Sequence, residues 1–246
     1  MNETDLIILV IYLICIVYVL YQAFDDLEDQ TTYQVKAIVF EDDTRLNNRV
    51  DIKFDQFKDG NRFKFSENPE KVSGQPKTIE VTVVNKFHNA SIRLDWDNST
   101  ISDYRKRARR VIRLTPGMTE VPQTQAQSLV APGLSLKANV TAEEVLKQNQ
   151  ETGLVEPIKP LVDIADLPRD FENKKLGKKT QREIEVLYTN FMDRKASLEF
   201  SLRLLLLFSE FVNGVKQEYG EFVECQFIVT KVPLLDQLPW TPKPKQ

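Results

Sequence analysis

The densest group of oxygen donors in the chain lies in LDWDNSTISD, where Asp95, Asp97 and Asp103 stand at positions 1, 3 and 9 of a calcium-loop spacing, with Asn98 beside them. Such a loop needs a glycine at position 6 for its sharp turn and a bidentate glutamate at position 12. Thr100 and Lys106 occupy those places, so the segment is expected to be a strand end followed by an Asp-Asn-Ser turn. Asp95 and Asp97 would also share a strand face, the minimum for paired-carboxylate acid/base work. No other residue pattern supports a hydrolase. The one histidine, His88, falls in a predicted turn, KFHNAS. Two cysteines cannot build a four-cysteine zinc site, and Cys225 alternates with Val223 and Phe227 as a small core residue would. With no GxSxG, P-loop, HExxH or CxxC pattern, no catalytic, cofactor-binding or metal-binding residue is assigned and the chain is read as a non-enzyme.

Two basic runs offer a different chemistry. YRKRARRVIR carries Arg105, Lys106, Arg107, Arg109, Arg110 and Arg113; NKKLGKKTQR carries Lys174, Lys175, Lys178 and Lys179. On a strand, Arg107, Arg109 and Arg113 would share one face. These ten residues form the candidate interaction surface, for an acidic protein or an anionic lipid surface. The alternative is a solvated strand edge that discourages aggregation. Nucleic acid is not expected, because no aromatic residues interleave the basic ones and the net charge is -3.

The first element that must position this surface is an anchor. Leu6 to Phe24, LIILVIYLICIVYVLYQAF, holds no charge. As a helix it would extend roughly 28 Å, close to the hydrocarbon thickness of a bilayer. It begins with MNETD and ends in YQAFDDLED, so it lacks both the basic start and the small-residue cut site of a cleaved signal. An uncleaved single-pass anchor is expected. Lys36 is the first basic residue after it, which favours a cytoplasmic soluble domain. Of the acidic residues only Glu3 and Asp5 precede the segment, so the remainder is close to neutral and acts through local patches.

The remainder reads as strands. Tyr33, Val35, Ala37 and Val39 alternate with Gln34 and Lys36; Val50, Ile52 and Phe54 follow, then Phe63 and Phe65. Ile79, Val81 and Val83, then Ile92, Leu94 and Trp96, repeat the period of two. Leu198 to Phe208 and Val223 to Val229 give two more strands. REIEVLYTNF fits either period, with Ile184, Leu187, Tyr188 and Phe191 at helical spacing, and is assigned to a strand. Residues 118–182 hold Pro122, Pro132, Pro157, Pro160 and Pro168 and read as an irregular insert with one short helix capped by Thr141 and Glu144. The expected fold is all-β: an antiparallel β-sandwich preceded by one N-terminal transmembrane helix. The anchor and juxtamembrane segment would occupy 1–30, the sandwich 31–235 and an extended tail 236–246.

The run VTVVNKFHNASIRLDWDNSTISDYRKRARRVIRLTPGM, with VAPGLSL and TAEEVL after it, resembles uncharacterised membrane-anchored β-sandwich proteins of cyanobacteria. The likeness covers about half of the chain. It is also similar to a general envelope-protein pattern of strand, W-D-x-S, then a basic strand ending in a turn. The resemblance implies a bacterial plasma or thylakoid membrane and no established activity. The resulting expectation is a membrane-tethered sandwich that binds a protein partner in the assembly or scaffolding of a membrane complex. The alternative is a sandwich holding a small ligand or lipid between its sheets.

Overall fold

The computed structural model describes residues 3–25, 30–41, 46, 48–58, 61–65, 74–172, 176–212 and 215–233. The expected tail at 236–246, Lys174 and Lys175 lie outside the described residues.

Helix α1 runs over Glu3–Asp25. Its described side chains cover only residues 7–18, and twelve residues of helix span about 18 Å. Among the described residues no helix is long and apolar enough to cross a membrane.

The rest is mostly antiparallel β, as its period-two patterns imply. The strands are β1 (Gln30–Phe40), β2 (Val50–Lys53), β3 (Arg62–Lys64), β4 (Ile79–Asn85), β5 (Ala90–Ser102), β6 (Ala108–Leu114), β7 (Ser128–Val130), β8 (Ser135–Ala142), β9 (Leu146–Gln148), β10 (Val155–Pro157), β11 (Leu198–Val212) and β12 (Val215–Lys231). Helices α2 (Asp166–Phe171) and α3 (Lys178–Met192) lie between β10 and β11.

Hydrogen bonding is continuous through one curled sheet, a half-barrel, in the order β2-β4-β8-β6-β5-β11-β12-β1-β3, with β7 beside β5. The expected division into two sheets is softened at β6. Arg109 and Arg110 pair with β5, while Val111 to Leu114 pair with β8. One strand thus changes partners and carries the sheet round a corner. At the corner Val111 and Ile112, on opposite faces, are both buried.

The interior is filled by the alternating residues. Leu198, Phe200, Leu202, Leu204, Leu206 and Phe208 of β11 and Val223, Cys225, Phe227 and Val229 of β12 are all buried. Phe200 stacks on Phe227 at 4.8 Å between centroids, and Phe54, just after β2, meets Phe227 edge-on at 4.9 Å. Burial pushes the Cys225 thiol far up from its ordinary value, as for an inert core cysteine. Asn85 is a buried amide whose bonds are met: Nδ2 donates to the Ala90 and Val130 carbonyls, and Oδ1 accepts from Phe87 N.

Four local readings are corrected. The register of β1 shifts at Lys36, a β-bulge that reverses the side-chain alternation. Ile38 and Phe40 therefore pack inward while Val39 is exposed. REIEVLYTNF is helical within α3, because its i, i+3, i+4, i+7 pattern wins: Ile184 and Phe191 are buried and Leu187 and Tyr188 half-buried against the core. The segment 118–182 is not an insert, since β8 lies in the sheet between β4 and β6. Thr141 caps no helix. It is a buried residue of β8 whose Oγ1 donates to Lys77 O at 2.9 Å, and only a 3-10 turn follows at Glu143–Val145.

Candidate interaction surface

The calcium-like spacing resolves into a strand bulge. Between Thr100, opposite Arg203, and Asp95, opposite Leu205, β5 carries extra residues. Asp95 organises them: its carboxylate accepts from Asn98 N at 3.2 Å and Asn98 Nδ2 at 3.0 Å, and its carbonyl accepts from Ser99 Oγ at 2.6 Å. Ser99 Oγ also accepts from Leu205 N at 3.2 Å, restoring a rung of the ladder. The bulge seats Trp96 in the core, fully buried, with Nε1 donating to Ser128 Oγ at 2.9 Å. Among the described residues no group of three or more His, Cys, Asp or Glu side chains could hold a metal ion.

Asp97 does not pair with Asp95. Its Oδ1 accepts from Arg110 Nη2 at 2.8 Å, and its Oδ2 from Gln125 N at 2.9 Å. The Arg110 bond, aided by Gln125, holds the Asp97 carboxyl below its ordinary range. Arg110 Nη2 also reaches the carbonyls of Pro122 and Gln123 at 3.2 and 2.6 Å. Gln125 in turn bridges Val111 O and Arg113 N. Asp97, Arg110 and Gln125 thus fasten the 122–126 segment across β5 and β6. His88 sits exposed in the β4–β5 turn.

The turn between β5 and β6 is built on Asp103. Its carboxylate accepts from Arg105 N at 2.8 Å, Arg107 N at 2.9 Å and Arg107 Nε at 2.6 Å. Burial opposes its charge, but these bonds outweigh it and keep its carboxyl below the usual value. Lys106 takes a left-handed backbone at φ 60° to close the turn. It projects exposed, and no ion pair to it is present among the described residues.

The other arginines of the run are matched by carboxylates from later in the chain. Arg105 Nη1 meets Asp170 of α2 at 2.7 Å, Arg109 Nη1 meets Glu144 at 2.8 Å, and Arg110 Nη1 reaches Glu143 at 3.5 Å. Arg113 Nη1 donates to Ser128 Oγ at 2.9 Å. The expected row of Arg107, Arg109 and Arg113 on one solvated face is not formed. Arg107 precedes the strand, and the Arg109 side chain is only 10% exposed. Lys178 and Lys179 open α3 on an exposed turn, with Lys179 loosely set 4.0 Å from Glu183.

A small polar cleft of about 20 Å³ lies under this hairpin, lined by Tyr104, Arg109, Asp163 and Asp166 among others. That is room for about one water molecule, beside the buried Nε and Nη2 of Arg109, which have no bonding partner. Asp163 Oδ1 accepts from Gln75 Nε2 at 3.1 Å and Ala165 N at 3.0 Å, and Gln75 Oε1 accepts from Tyr33 Oη at 3.2 Å. Burial raises the Asp163 carboxyl above its ordinary value despite those bonds.

The carboxylates Glu143 and Asp170 were not singled out from sequence, and Glu144 was read as a helix cap and not as a partner of Arg109. Their signal was charge complementarity: VDIADLPRD and AEEV are the acidic counterparts of RKRARR. Spacing along the chain could not say that they meet it.

In comparison with protein-family models, curated proteins and solved structures, the chain matches none.

Proposed function

We propose that the protein is a non-enzymatic, single-pass membrane-tethered β domain that docks a protein partner in the assembly or scaffolding of a membrane complex. One observation carries the reading. Among the described residues no helix is long and apolar enough to cross a membrane, so the reading rests on the exposed apolar surface of α1 (Glu3–Asp25) and on the uncharged sequence from Leu6 to Phe24. From Ile7 to Tyr18 every described side chain is uncharged, and all but Ile16 are exposed. Among the described residues, none of the core comes from this helix. An apolar surface of that extent is unstable in water and marks a membrane or protein contact.

Docking is supported by the exposed β5–β6 turn, where Lys106 has no ion pair among the described residues and Arg107, though bonded to Asp103, is also exposed. The binding reading is preferred to hydrolysis because Asp95 and Asp97 are each committed to separate structural bonds. It is preferred to a ligand held inside the sheet because Trp96, Phe200, Phe208 and Phe227 fill the interior. The reading includes a bacterial plasma or thylakoid membrane with the domain on its cytoplasmic side, from the first basic residue at Lys36.

The test is native electrophoresis of the chain extracted in mild detergent. The expected result is a species larger than the 28.5 kDa chain in its micelle, reduced in size by Lys106→Glu with Arg107→Glu. Migration as a lone chain in its micelle under all conditions contradicts partner docking.

A further inference from the structure

Arg109 of β6 is only half used by the fold. Its Nη1 meets Glu144 at 2.8 Å, and its side chain is only 10% exposed. Its Nε and Nη2 are buried and have no partner among the described residues. In a planar guanidinium these two N–H groups form a fork that can close on one acceptor. Buried donors are rarely left unmet, because they have lost water without gaining a partner. The fork therefore needs an acceptor that the chain itself does not bring to it.

Arg109 lines the cleft of about 20 Å³ together with Tyr104, Asp163 and Asp166. Asp163 is half used in the same way: its Oδ1 accepts from Gln75 Nε2 and Ala165 N, and its Oδ2 takes no hydrogen bond from the described residues. Tyr104 lies between the two charges. Burial pushes its hydroxyl well above the ordinary value, the Asp163 charge adds to that, and the Arg109 charge opposes it. Both therefore lie within electrostatic reach of one buried ring. Asp163 is also held in place. Leu161, Ile164 and Leu167 around it are buried, Leu161 N donates to Pro76 O at 2.9 Å, and Ile164 N donates to Gln75 Oε1 at 3.2 Å.

Size and charge select the occupant. A cavity must offer roughly 10–15 Å³ to hold a water molecule, so this one admits a single small species. Its lining sets three arginines, Arg105, Arg107 and Arg109, against five carboxylates, which disfavours an anion. The unmet atoms of Arg109 are donors, which disfavours a cation. Water both accepts and donates, and buried water typically makes about three hydrogen bonds. We infer that the cleft is a built site for one ordered water molecule, which accepts from Arg109 Nε and Nη2 and donates to Asp163 Oδ2. The water joins β6 to the segment that leads into α2. It also removes Arg109 from the candidate interaction surface: with Glu144 on one side of its guanidinium and the water on the other, no donor is left for a partner. An acidic partner then meets Lys106 and Arg107 alone.

The experiment is a crystal structure of the full chain at a resolution that shows ordered water, with amide hydrogen exchange of the parent and of Arg109→Lys. The expected density is one water peak within about 3.2 Å of Arg109 Nε, Arg109 Nη2 and Asp163 Oδ2. Arg109→Lys keeps a charge for Glu144 and removes the fork. Exchange across Asp166–Phe171 should then quicken several-fold while that of β11 stays unchanged. A fork bonded directly to a protein oxygen, or an ion in the cleft, overturns the site. The water in place, with exchange of α2 indifferent to Arg109→Lys, overturns its role in joining the two segments. Should the variant loosen β11 as well, the density alone decides.

Discussion

Replacing Trp96 by alanine tests the part of the fold that positions the basic turn. Trp96 is fully buried at the bulge of β5, and its indole N–H donates to Ser128 Oγ, which also accepts from Arg113 Nη1. Removing a buried aromatic side chain of this size costs about 3–5 kcal/mol, because the cavity closes only in part. The residual hydroxyl loses little, since Arg113 still donates to it. Trp96→Phe separates the two contributions. It keeps most of the apolar contact and removes one buried hydrogen bond, so a loss of about 1–2 kcal/mol is expected. Urea unfolding of the full chain in a mild detergent, followed by far-ultraviolet circular dichroism, reads both variants. For a slope of about 2–3 kcal/mol per molar urea, Trp96→Ala should lower the midpoint by about 1–2.5 M and Trp96→Phe by less than about 1 M, with unchanged slopes. An alanine variant that unfolds within about 0.3 M of the parent would refute the placement of Trp96 and with it the bulge.

The remaining predictions concern the polar groups and α3. Asp163→Asn keeps an acceptor for both Gln75 and Ala165 and removes a buried charge, so the variant should be more stable than the parent at neutral pH. A raised folded-state pKa means that the parent's advantage is complete below the ordinary carboxylate value, about pH 4, and is lost as pH rises through the higher folded-state value; urea midpoints at pH 4 and 7 should show the variant's gain growing with pH, and a variant weaker at both contradicts the burial. Asp97 and Asp103 have the opposite sign. Their depressed values mean stability that is present above about pH 4 and lost as pH falls further, so Asp97→Asn should flatten the acid limb of a pH titration of the unfolding midpoint. Asp103→Ala leaves two backbone N–H groups without their acceptor and should cost about 1–3 kcal/mol while speeding proteolysis at Lys106; an unaltered cleavage rate speaks against the turn's dependence on Asp103. In α3, Phe191→Ala should destabilise by about 3–5 kcal/mol and Val186→Glu by less than about 0.5 kcal/mol, whereas a strand there would place the two substitutions on opposite footing.

The antiparallel strands were legible because a half-buried strand writes its burial into every second residue. Leu198 to Phe208 and Val223 to Val229 are the plainest cases, and each predicted inward residue is buried. The failures have particular causes. At β1 one extra residue at Lys36 reverses the parity, and nothing in YQVKAIVF marks the bulge. At α3 a short window satisfied both periods, and only packing of Ile184 and Phe191 against the core decides between them. At β8 the sequence SLKANVTA alternates weakly, and its Thr141 with Glu144 also matches a capping box. The basic runs were visible, but Glu143, Glu144 and Asp170, which pair with Arg110, Arg109 and Arg105, come from 33 to 65 positions away, beyond any local rule.

The most direct test of the tethered-domain account is extraction of the full chain from membranes with alkaline carbonate, beside a variant with Ile11→Lys and Ile14→Lys in the exposed apolar stretch of α1. The account predicts that the parent stays in the membrane pellet, while the double variant, with two charges costing about 2.5–3.5 kcal/mol each at the bilayer centre, is released. Release of the parent under the same wash would contradict it.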